Sequence, residues 1–225
     1  MRRVFFVTGT DTGVGKTFIS CAFLECAKRQ GFSALGLKPV AAGAQNTEQG
    51  LRNGDALALL HASSIKLDYR QINPLCLEAA TAPHLAAAAQ KIRISLERLT
   101  GLVRGSLMMN AQVTLIEGAG GWRVPLNESE YLSALPLGLN IPIILVVGVR
   151  LGCINHALLT AEAIRRDGLS LAGWVANHLE PQLSHAEGII QSLTQRIHAP
   201  CLGQVPYLAA EDYICAADYL SLPVS

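Results

Sequence analysis

Short, strongly apolar segments alternate with longer segments of helical periodicity along most of the chain. The apolar segments are rich in Val, Ile, Leu and Ala, a composition typical of strands that are covered on both faces. They predict strands at Val4–Thr8, Ser33–Lys38, Gln112–Glu117, Ile141–Val147, Ser170–Asn177 and Cys201–Val205. Apolar residues that recur every three or four positions predict helices at Lys16–Arg29, Asp55–His61, Ile94–Met108, Asn155–Arg166 and Ser184–Ile197, with a shorter one near Asp212–Leu220. The alternation predicts an α/β fold with a doubly wound, mostly parallel sheet and helices on both faces.

The segment from Ala41 to Gln90 interrupts this alternation. It is long for a simple connection, and it is broken by Gly43, Gly50, Gly54, Pro74 and Pro83. Long excursions from a compact domain often carry function. Within this segment, the alanine-rich stretch Ala86–Ala89 predicts a helix on the surface.

The composition predicts one domain over residues 1–225 that binds small molecules. Lys and Arg total 18 and Asp and Glu total 17, so the formal charge is +1. This balance argues against a nucleic acid or an anionic membrane as a partner. No apolar run approaches the ~18–20 residues that a bilayer requires. The six cysteines lack C-x-x-C spacing, which argues against zinc and against a disulfide framework, so we expect reduced thiols and a cytoplasmic protein.

The segment Thr8–Thr17 lies between the first predicted strand and the first predicted helix and has the pattern of a phosphate-binding loop. Its glycines allow backbone N–H groups to surround phosphate oxygens, Lys16 can neutralise the β- and γ-phosphates, and Thr17 can offer its hydroxyl to Mg²⁺. The standard pattern G-x-x-x-x-G-K-[ST] has glycine where this chain has Thr10, so the loop is a variant. The flanking strand and helix disfavour a chance Gly-Lys-Thr turn. The loop predicts a bound nucleoside triphosphate and a P-loop NTPase fold, and it leaves the reaction open.

Polar side chains end several of the predicted strands. Ligands of an open parallel sheet bind beyond the carboxyl ends of its strands, so these residues are candidates for a site. Glu117 precedes a glycine loop, a typical place for a Mg²⁺ ligand, although acidic residues also mark ordinary surface turns. Lys38 can stabilise charge during phosphoryl transfer or can simply be solvated. Asn177 is compatible with a purine contact or with a capping role.

Two other groups of polar residues are less informative. Asp55, at the start of a predicted helix, by itself suits a helix N-terminus. The six histidines, among them His84 and His156, show no metal-binding spacing, and we interpret them as structural or exposed.

Together these residues resemble the dethiobiotin synthetase family over nearly the whole chain. Six ordered segments carry the resemblance: Gly9–Thr12 with Val14–Thr17, Lys38–Ala41, Gly50–Asn53 with Asp55–Leu57, Glu117–Trp122, Leu151–His156 and Gly173–Asn177. The resemblance implies an ATP-dependent ligase that converts 7,8-diaminononanoate, CO₂ and MgATP into dethiobiotin, ADP and phosphate in biotin biosynthesis. One amine takes up CO₂ as a carbamate, ATP phosphorylates the carbamate, and the second amine attacks the mixed anhydride.

The resemblance also implies roles for individual residues. Lys16 and Lys38 are the implied catalytic residues, which stabilise the transferred phosphoryl group and the carbamate. The implied Mg²⁺ ligands are Thr17, Asp55 and Glu117. The implied ATP contacts are Thr12, Gly13, Val14, Gly15, Lys16, Thr17, Asp55, Glu117, Asn177 and Pro206. The implied substrate contacts are Thr12, Lys38, Gly118, Ala119, Gly120 and Gly121, with Gly152, Cys153 and Asn155 at the substrate carboxylate from the opposite subunit, so a homodimer is implied.

Two positions depart from the family pattern: Gly13, where an acidic residue is frequent, and Ala42, where a serine is frequent. The phosphate, metal and lysine positions are intact, so we expect the chemistry to survive, and a paralogue that acts on a different acceptor stays open. A P-loop switch or partitioning ATPase is the other alternative, but Asp11 stands where those proteins usually carry a second lysine. A glutamine-dependent amidoligase needs a further glutaminase domain, for which this chain has no length. A P-loop kinase of a small alcohol does not account for the segment Leu151–His156.

Overall fold

A parallel sheet with helices on both faces forms the centre of the molecule. The computed structural model describes residues 2–209 and 212–223. The strands are β1 (Arg3–Gly9), β2 (Ala34–Leu37), β3 (Val40–Ala41), β4 (Gln45–Thr47), β5 (Gly50–Arg52), β6 (Leu75–Cys76), β7 (Val113–Glu117), β8 (Ile143–Val149), β9 (Leu171–His178) and β10 (Cys201–Val205). The helices are α1 (Lys16–Arg29), α2 (Gly54–Ala62), α3 (Tyr69–Ile72), α4 (Pro83–Ala89), α5 (Leu96–Leu107), α6 (Ala134–Leu139), α7 (Cys153–Arg166), α8 (Ala186–Arg196) and α9 (Tyr213–Ala216), with a 3₁₀ turn at Ala217–Tyr219.

The central sheet has the strand order β10-β9-β8-β1-β7-β2, and all neighbouring strands in it are parallel. In the middle, Phe6 of β1 is in register with Ile116 of β7 on one side and with Ile143 of β8 on the other. The chain moves from β1 to β2 on one side and later crosses to β8 on the other, so the loop after β1 lies at a topological switch point. The predicted doubly wound parallel sheet is confirmed, and the six predicted strands are the strands of this sheet.

Helices bury both faces of the sheet. On β1, Phe5 and Val7 belong to the core that α1 covers, whereas Phe6 belongs to the core on the opposite face and packs against Trp122. Every residue of β7 and β8 is buried. Burial on both faces explains why these strands are continuously apolar and not alternating.

The segment between β2 and α5 is more structured than the sequence predicts. β3 pairs with β6, β4 and β5 form a short antiparallel hairpin, and three helices accompany them. Strands of two or three residues are too short to show a periodic pattern of apolar and polar residues in the sequence. The predicted surface helix at Ala86–Ala89 is confirmed as part of α4, which exposes Ala88 and Ala89 and buries Ala86 and Ala87 in the core.

The end of the described chain contains the predicted short C-terminal helix in two pieces. α9 continues directly into the 3₁₀ turn, which packs beside β10. None of the helices in residues 2–209 and 212–223 has both the length and the apolar character of a membrane span.

Candidate functional site

The loop between β1 and α1 has a backbone conformation that requires glycine. Gly13 has a φ of +74° and Gly15 a φ of +85°, values that side-chain-bearing residues rarely adopt. A Cβ atom on Gly15 would also lie 2.2 Å from Nδ2 of Asn177. A Cβ atom on Gly9 would lie 2.6 Å from Cγ2 of Val14. Because α1 begins at Lys16, the N–H groups of the loop adjoin the positive end of the helix dipole, an arrangement that favours phosphate.

Lys38 lies at the centre of a charged cluster at the carboxyl ends of β2 and β7. Its Nζ atom donates to Oδ2 of Asp55 at 2.9 Å, to Oε1 of Glu117 at 2.5 Å and to the carbonyl oxygen of Gly118 at 3.1 Å. Lys38 is 3% exposed and Glu117 is 0% exposed. Lys38 and Glu117 are 79 residues apart in the chain, and the parallel pairing of β2 with β7 brings them together.

The charges in this cluster shift one another's protonation. Burial alone would lower the pKa of Lys38, but the negative charges of Glu117 and Asp55 outweigh burial and raise it. Burial alone would raise the pKa of Asp55, but the charge and hydrogen bond of Lys38 outweigh burial and lower it. Lys38 therefore remains a cation at neutral pH.

Lys16 lies near this cluster, and its pKa shifts in the opposite direction. Burial, and next the positive charge of Lys38, lower the pKa of Lys16 from 10.5 to about 8. Its Nζ atom donates to the carbonyl oxygen of Asp11 at 2.9 Å. Lys16 is still mainly protonated at pH 7, and bound phosphate would favour the protonated form further.

Three oxygen-bearing side chains at this end of the sheet can hold a divalent cation. Oγ1 of Thr17 donates to Oε1 of Glu117 at 2.8 Å, and Asp55 shares the ammonium of Lys38 with Glu117. The other carboxylate oxygen, Oε2 of Glu117, is buried and has no hydrogen-bond partner among the described residues. Buried polar atoms are normally paired, so the lack of a partner for this oxygen indicates that a positively charged ligand binds it.

The side-chain oxygens of Thr17, Asp55 and Glu117 suit Mg²⁺, because they are too few to hold a metal whose ligands all come from the protein. Within the described ranges 2–209 and 212–223, no group of three or more His, Cys, Asp or Glu side chains forms a metal cluster. Mg²⁺ usually keeps several waters and takes one or two carboxylates together with phosphate oxygens. Two carboxylates and one hydroxyl beside a phosphate loop match that requirement.

A cavity of about 990 Å³ opens over the charged cluster. It is lined by eleven of the predicted residues: Thr12, Gly13, Gly15, Lys16, Thr17, Lys38, Asp55, Glu117, Ala119, Gly120 and Gly121. Residues that the sequence did not indicate also line it, notably residues 80–83 before α4, residues 123–125 after the glycine loop, and Tyr213 of α9. Small-molecule sites typically occupy about 300–1,000 Å³, so the cavity has room for a nucleotide together with a small acceptor.

Four predicted residues support this cavity or lie beside it. Val14 is buried, and its carbonyl oxygen accepts a hydrogen bond from Nδ2 of Asn177 at 3.0 Å. Gly118 contributes the carbonyl oxygen that binds Lys38. Pro206 follows β10 and is half-buried. The contacts of Asn177 and Pro206 with adenine stay predictions, and the structure adds a role for Asn177 in holding the loop.

The turn at residues 151–155 is separate from the cavity lining. Gly152, with a φ of +89°, precedes α7, and the side chain of Cys153 is buried in the core beneath that helix. The N–H of Cys153 donates to the carbonyl oxygen of Arg150 at 3.1 Å, so the turn itself uses this donor. Among the residues that the structure describes, the N–H groups of the next two residues have no hydrogen-bond partner, as is usual in a first helical turn, so they can bind a ligand. Leu151 is 93% exposed, which places an apolar side chain in solvent beside the turn.

Arg123 also lines the cavity, at a position that none of the predicted motifs includes. Its guanidinium binds Asp167 through two hydrogen bonds, of 2.6 Å and 2.7 Å, and Nε1 of Trp122 donates to the same carboxylate at 2.8 Å. Burial alone would raise the pKa of Asp167, but the hydrogen bonds of Arg123 and Trp122 lower it. The position of Arg123 directly after the glycine loop was the one available signal, because its partner lies 44 residues away at the end of α7.

Asp11 connects the phosphate loop to the end of β8. Its Oδ1 atom accepts a hydrogen bond from the N–H of Thr12 at 2.7 Å, and its Oδ2 atom accepts one from Arg150 at 2.7 Å. Its carbonyl oxygen binds Lys16, as described above. Asp11 therefore stabilises the loop through both its side chain and its main chain.

Comparison with solved structures identifies the fold. FtsY from Elizabethkingia anophelis matches with a TM-score of 0.57 at 15% identity, covering 96% of this chain and 65% of that chain. The septum site-determining protein MinD from Pyrococcus horikoshii, complexed with Mg-ADP, matches with a TM-score of 0.57 at 16% identity, covering 96% of this chain and 86% of that chain. At such low identity the likeness shows the fold alone, and it confirms the predicted P-loop NTPase fold.

Comparison at the level of sequence identifies the family. A family model described as an AAA domain matches residues 3–212. A protein of Cellvibrio japonicus named ATP-dependent dethiobiotin synthetase BioD is 56% identical over 221 residues, covering 98% of this chain and 96% of the relative. A protein of the same name from Pseudomonas paraeruginosa is 55% identical over 218 residues, covering 97% and 96%. Identity at this level over nearly the full length of both proteins shows that the chain belongs to the ATP-dependent dethiobiotin synthetase family.

Proposed function

We propose that this chain catalyses the ATP-dependent carboxylation and ring closure of 7,8-diaminononanoate, which yields dethiobiotin, ADP and phosphate in biotin biosynthesis. The observation that carries the proposal is the convergence of Lys16, Lys38 and Glu117 on one cavity, in a chain of this family. A ligase that forms C–N bonds must hold a phosphate donor beside a charged acceptor, and the cavity provides groups for both.

The phosphate loop and Lys16 bind the triphosphate of ATP in this proposal. The N–H groups of the loop and the N-terminus of α1 face the phosphates, and the ammonium of Lys16 neutralises their outer charges. Asn177 keeps the loop in this shape through its hydrogen bond to Val14. We place adenine on the side of Asn177 and Pro206.

Thr17, Asp55 and Glu117 would hold Mg²⁺ beside the phosphates. When bound, the ion neutralises charge on the phosphate oxygens during transfer. The chain keeps the carboxylates in place because Glu117 ends a buried strand and Asp55 lies in the first turn of α2. The buried and unpaired Oε2 atom of Glu117 supports this assignment.

Lys38 is positioned to stabilise the carbamate and the phosphoryl group that it receives. Its ammonium is buried, remains charged at neutral pH and is held by hydrogen bonds before any substrate binds. Preorganised charges of this kind stabilise a transition state without reorganisation during the reaction. Thr12 and residues 118–121 border the diamine in this arrangement.

The reaction proceeds through two C–N bond formations. The first amine adds to the carbon of CO₂ and loses a proton, which gives a carbamate. A carbamate oxygen then attacks the γ-phosphorus of ATP, the bond to the bridging oxygen breaks, and ADP leaves. The second amine attacks the carbonyl carbon of the mixed anhydride, phosphate leaves with the C–O electron pair, and the amine releases its proton. The chain holds the reacting groups together and out of bulk water.

We propose further that the chain acts as a homodimer in the cytoplasm. The turn at Gly152, Cys153 and Asn155 would bind the substrate carboxylate of the opposite subunit, mainly through N–H groups at the start of α7. Its position outside the cavity lining and the exposed Leu151 beside it support this arrangement. All six cysteines are free thiols, which the reducing cytoplasm would maintain.

ADP release by the purified protein tests the proposed reaction. MgATP and bicarbonate are supplied with and without 7,8-diaminononanoate, and the product is analysed by mass spectrometry. We expect ADP release that depends on the diamine, together with the cyclic urea. ATP binding without diamine-dependent turnover would contradict the proposal and would favour a paralogue with another acceptor or a nucleotide switch.

A further inference from the structure

The backbone of Lys38 leaves the central sheet at its edge and is held there by the end of α3. β2 is an edge strand of the sheet. The N–H of Lys38 donates to the carbonyl oxygen of Ile72 at 2.9 Å, and the carbonyl oxygen of Lys38 accepts from Nδ2 of Asn73 at 2.7 Å. Buried main-chain groups need hydrogen-bond partners. At Lys38 the end of α3 provides these partners, which a neighbouring strand provides for residues inside the sheet.

The same turn also supports the start of α2. The phenol oxygen of Tyr69 accepts a hydrogen bond from the N–H of Asn53 at 2.7 Å and donates to Oδ1 of Asn73 at 3.1 Å. Asn53 is the N-cap of α2, since its Oδ1 atom accepts from the N–H of Ala56 at 3.3 Å. Asp55 lies in the first turn of this helix. The position of Asp55 therefore depends on Tyr69 through Asn53.

Burial and packing hold Tyr69 and Asn73 in a single arrangement. Asn73 is 2% exposed, and its Nδ2 atom also donates to the carbonyl oxygen of Leu75 at 3.2 Å. The guanidinium of Arg52 lies 4.3 Å from the centre of the Tyr69 ring, and Sγ of Cys76 lies 3.4 Å from its phenol oxygen. Burial and the contact with Cys76 raise the pKa of Tyr69, so the phenol keeps the proton that it donates to Asn73.

We propose that Tyr69 and Asn73 form a positioning pair that sets the distance between Lys38 and Asp55, whose Nζ and Oδ2 atoms lie 2.9 Å apart. This inference rests on the function proposed above, in which Lys38 and Asp55 act in phosphoryl transfer. The pair acts through the main chain of Lys38 and through the cap of α2, and both residues lie behind the cavity lining. Removing it displaces two charged groups relative to each other without removing a contact to the nucleotide.

The variant Tyr69→Phe removes one hydroxyl from this pair and tests the proposal. We expect kcat to fall about tenfold, because small displacements of reacting groups lower rates strongly. The Kd for ADP measured without Mg²⁺ should stay within about twofold, because the phosphate loop, which binds the phosphates, lies outside the pair. Tyr219→Phe, which changes a tyrosine that is 49% exposed, is the matched control and should leave both constants unchanged. If Tyr69→Phe keeps kcat within about twofold per folded molecule, the proposal is overturned.

Hydrogen exchange of the protein without ligands gives a readout that is independent of turnover. We expect faster exchange at the N–H groups of Lys38 and Asn53 in Tyr69→Phe and unchanged exchange in α7, since local openings follow lost hydrogen bonds. Unchanged exchange at both N–H groups would overturn the proposal.

A double-mutant cycle with Asn73→Ala separates one positioning pair from two independent structural residues. If the two residues act as a unit, the double variant should lose no more than about twofold in kcat beyond the more impaired single variant. If the fold-loss in kcat of the double variant equals the product of the losses in the two single variants, the proposal is overturned. If Asn73→Ala does not fold, Tyr69→Phe and its exchange pattern decide the question.

Lys38→Met and Asp55→Asn, assayed in parallel, distinguish this inference from the proposed function. Full turnover in both would show that the assigned roles of Lys38 and Asp55 fail, and the inference with them. Loss of turnover in both, with kcat retained in Tyr69→Phe, would overturn the positioning pair alone.

Discussion

At the scale of single residues, the glycines of the phosphate loop are required for different reasons. Gly13 and Gly15 both have positive φ, so any larger residue is strained at either position. A Cβ atom would meet nothing within 4 Å at Gly13, whereas at Gly15 it would lie 2.2 Å from the side chain of Asn177. Glycine is therefore required at position 13 only by the backbone conformation. At position 15 it is also required because a side chain would clash with Asn177, which holds the loop.

Gly15→Ala and Gly13→Ala form a matched pair for this difference. At Gly13 we expect a loss of about 1–2 kcal/mol in the free energy of unfolding, from backbone strain alone. At Gly15 the strain adds to a clash, so we expect a larger loss and ADP affinity at least about tenfold lower. Urea unfolding and calorimetric titration with ADP measure both quantities. Equal effects of the two variants would contradict the role of Asn177.

The buried pair of Lys38 and Glu117 leads to a prediction about stability. Lys38→Met leaves a buried carboxylate without its cation and should lower the free energy of unfolding by about 3–5 kcal/mol. Combining it with Glu117→Gln should restore part of the stability and none of the turnover. Lys66→Met, at an exposed position, should change stability by less than about 0.5 kcal/mol. Urea unfolding at pH 7 measures these values, and a double variant less stable than Lys38→Met would contradict the prediction.

At the scale of elements, the end of α7 holds the segment that follows the glycine loop. Asp167, the C-cap of α7, binds both Trp122 and Arg123. Trp122 is buried against Phe6, and Arg123 lines the cavity. One carboxylate therefore connects a helix end to the wall of the site.

The variant Asp167→Asn tests how the stabilisation from the hydrogen bonds of Asp167 with Trp122 and Arg123 depends on pH. The pKa of Asp167 is lowered in the folded protein, so its stabilising effect is present above the ordinary aspartate pKa of about 4 and is lost as pH falls through the folded value. We expect the variant to be about 1–2 kcal/mol less stable than the parent at pH 7 and the difference to shrink below about pH 4. Urea unfolding at several pH values measures the difference. Asp218→Asn, in an exposed ion pair with Arg29, is the control and should change stability by less than about 0.5 kcal/mol.

The elements of the central sheet could be predicted from the sequence, and those of the excursion after β2 could not. β7 and β8 are buried on both faces and give continuous apolar runs. β3 and β6 have two residues each, and they exist because they pair with one another. α3, with four residues, is held by contacts to Lys38 and Asn53 and not by its own helical propensity.

At the scale of the whole molecule, the proposed homodimer predicts complementation between two inactive variants. Lys38→Met disables the charged cluster, and Asn155→Asp places a negative charge at the turn that would bind a carboxylate. In a heterodimer with a shared site, one of the two sites combines both intact halves, so an equal mixture should recover roughly a quarter of the parental activity. Subunit exchange is verified by native mass spectrometry. No recovery despite heterodimer formation would place the whole site in one chain. The single domain over residues 1–225 stays a prediction.

The sequence by itself determined the phosphate loop, the alternation of strands and helices, and the family, which the relatives confirm. These properties depend on spacing within short segments, and local spacing reports backbone conformation and burial directly. The tertiary structure alone decided that Lys38 binds Asp55 and Glu117, that Asp167 holds Arg123, and that α3 supports both Lys38 and α2. Such contacts join residues that are distant in the chain, and they depend on strand order and packing, which no local pattern encodes.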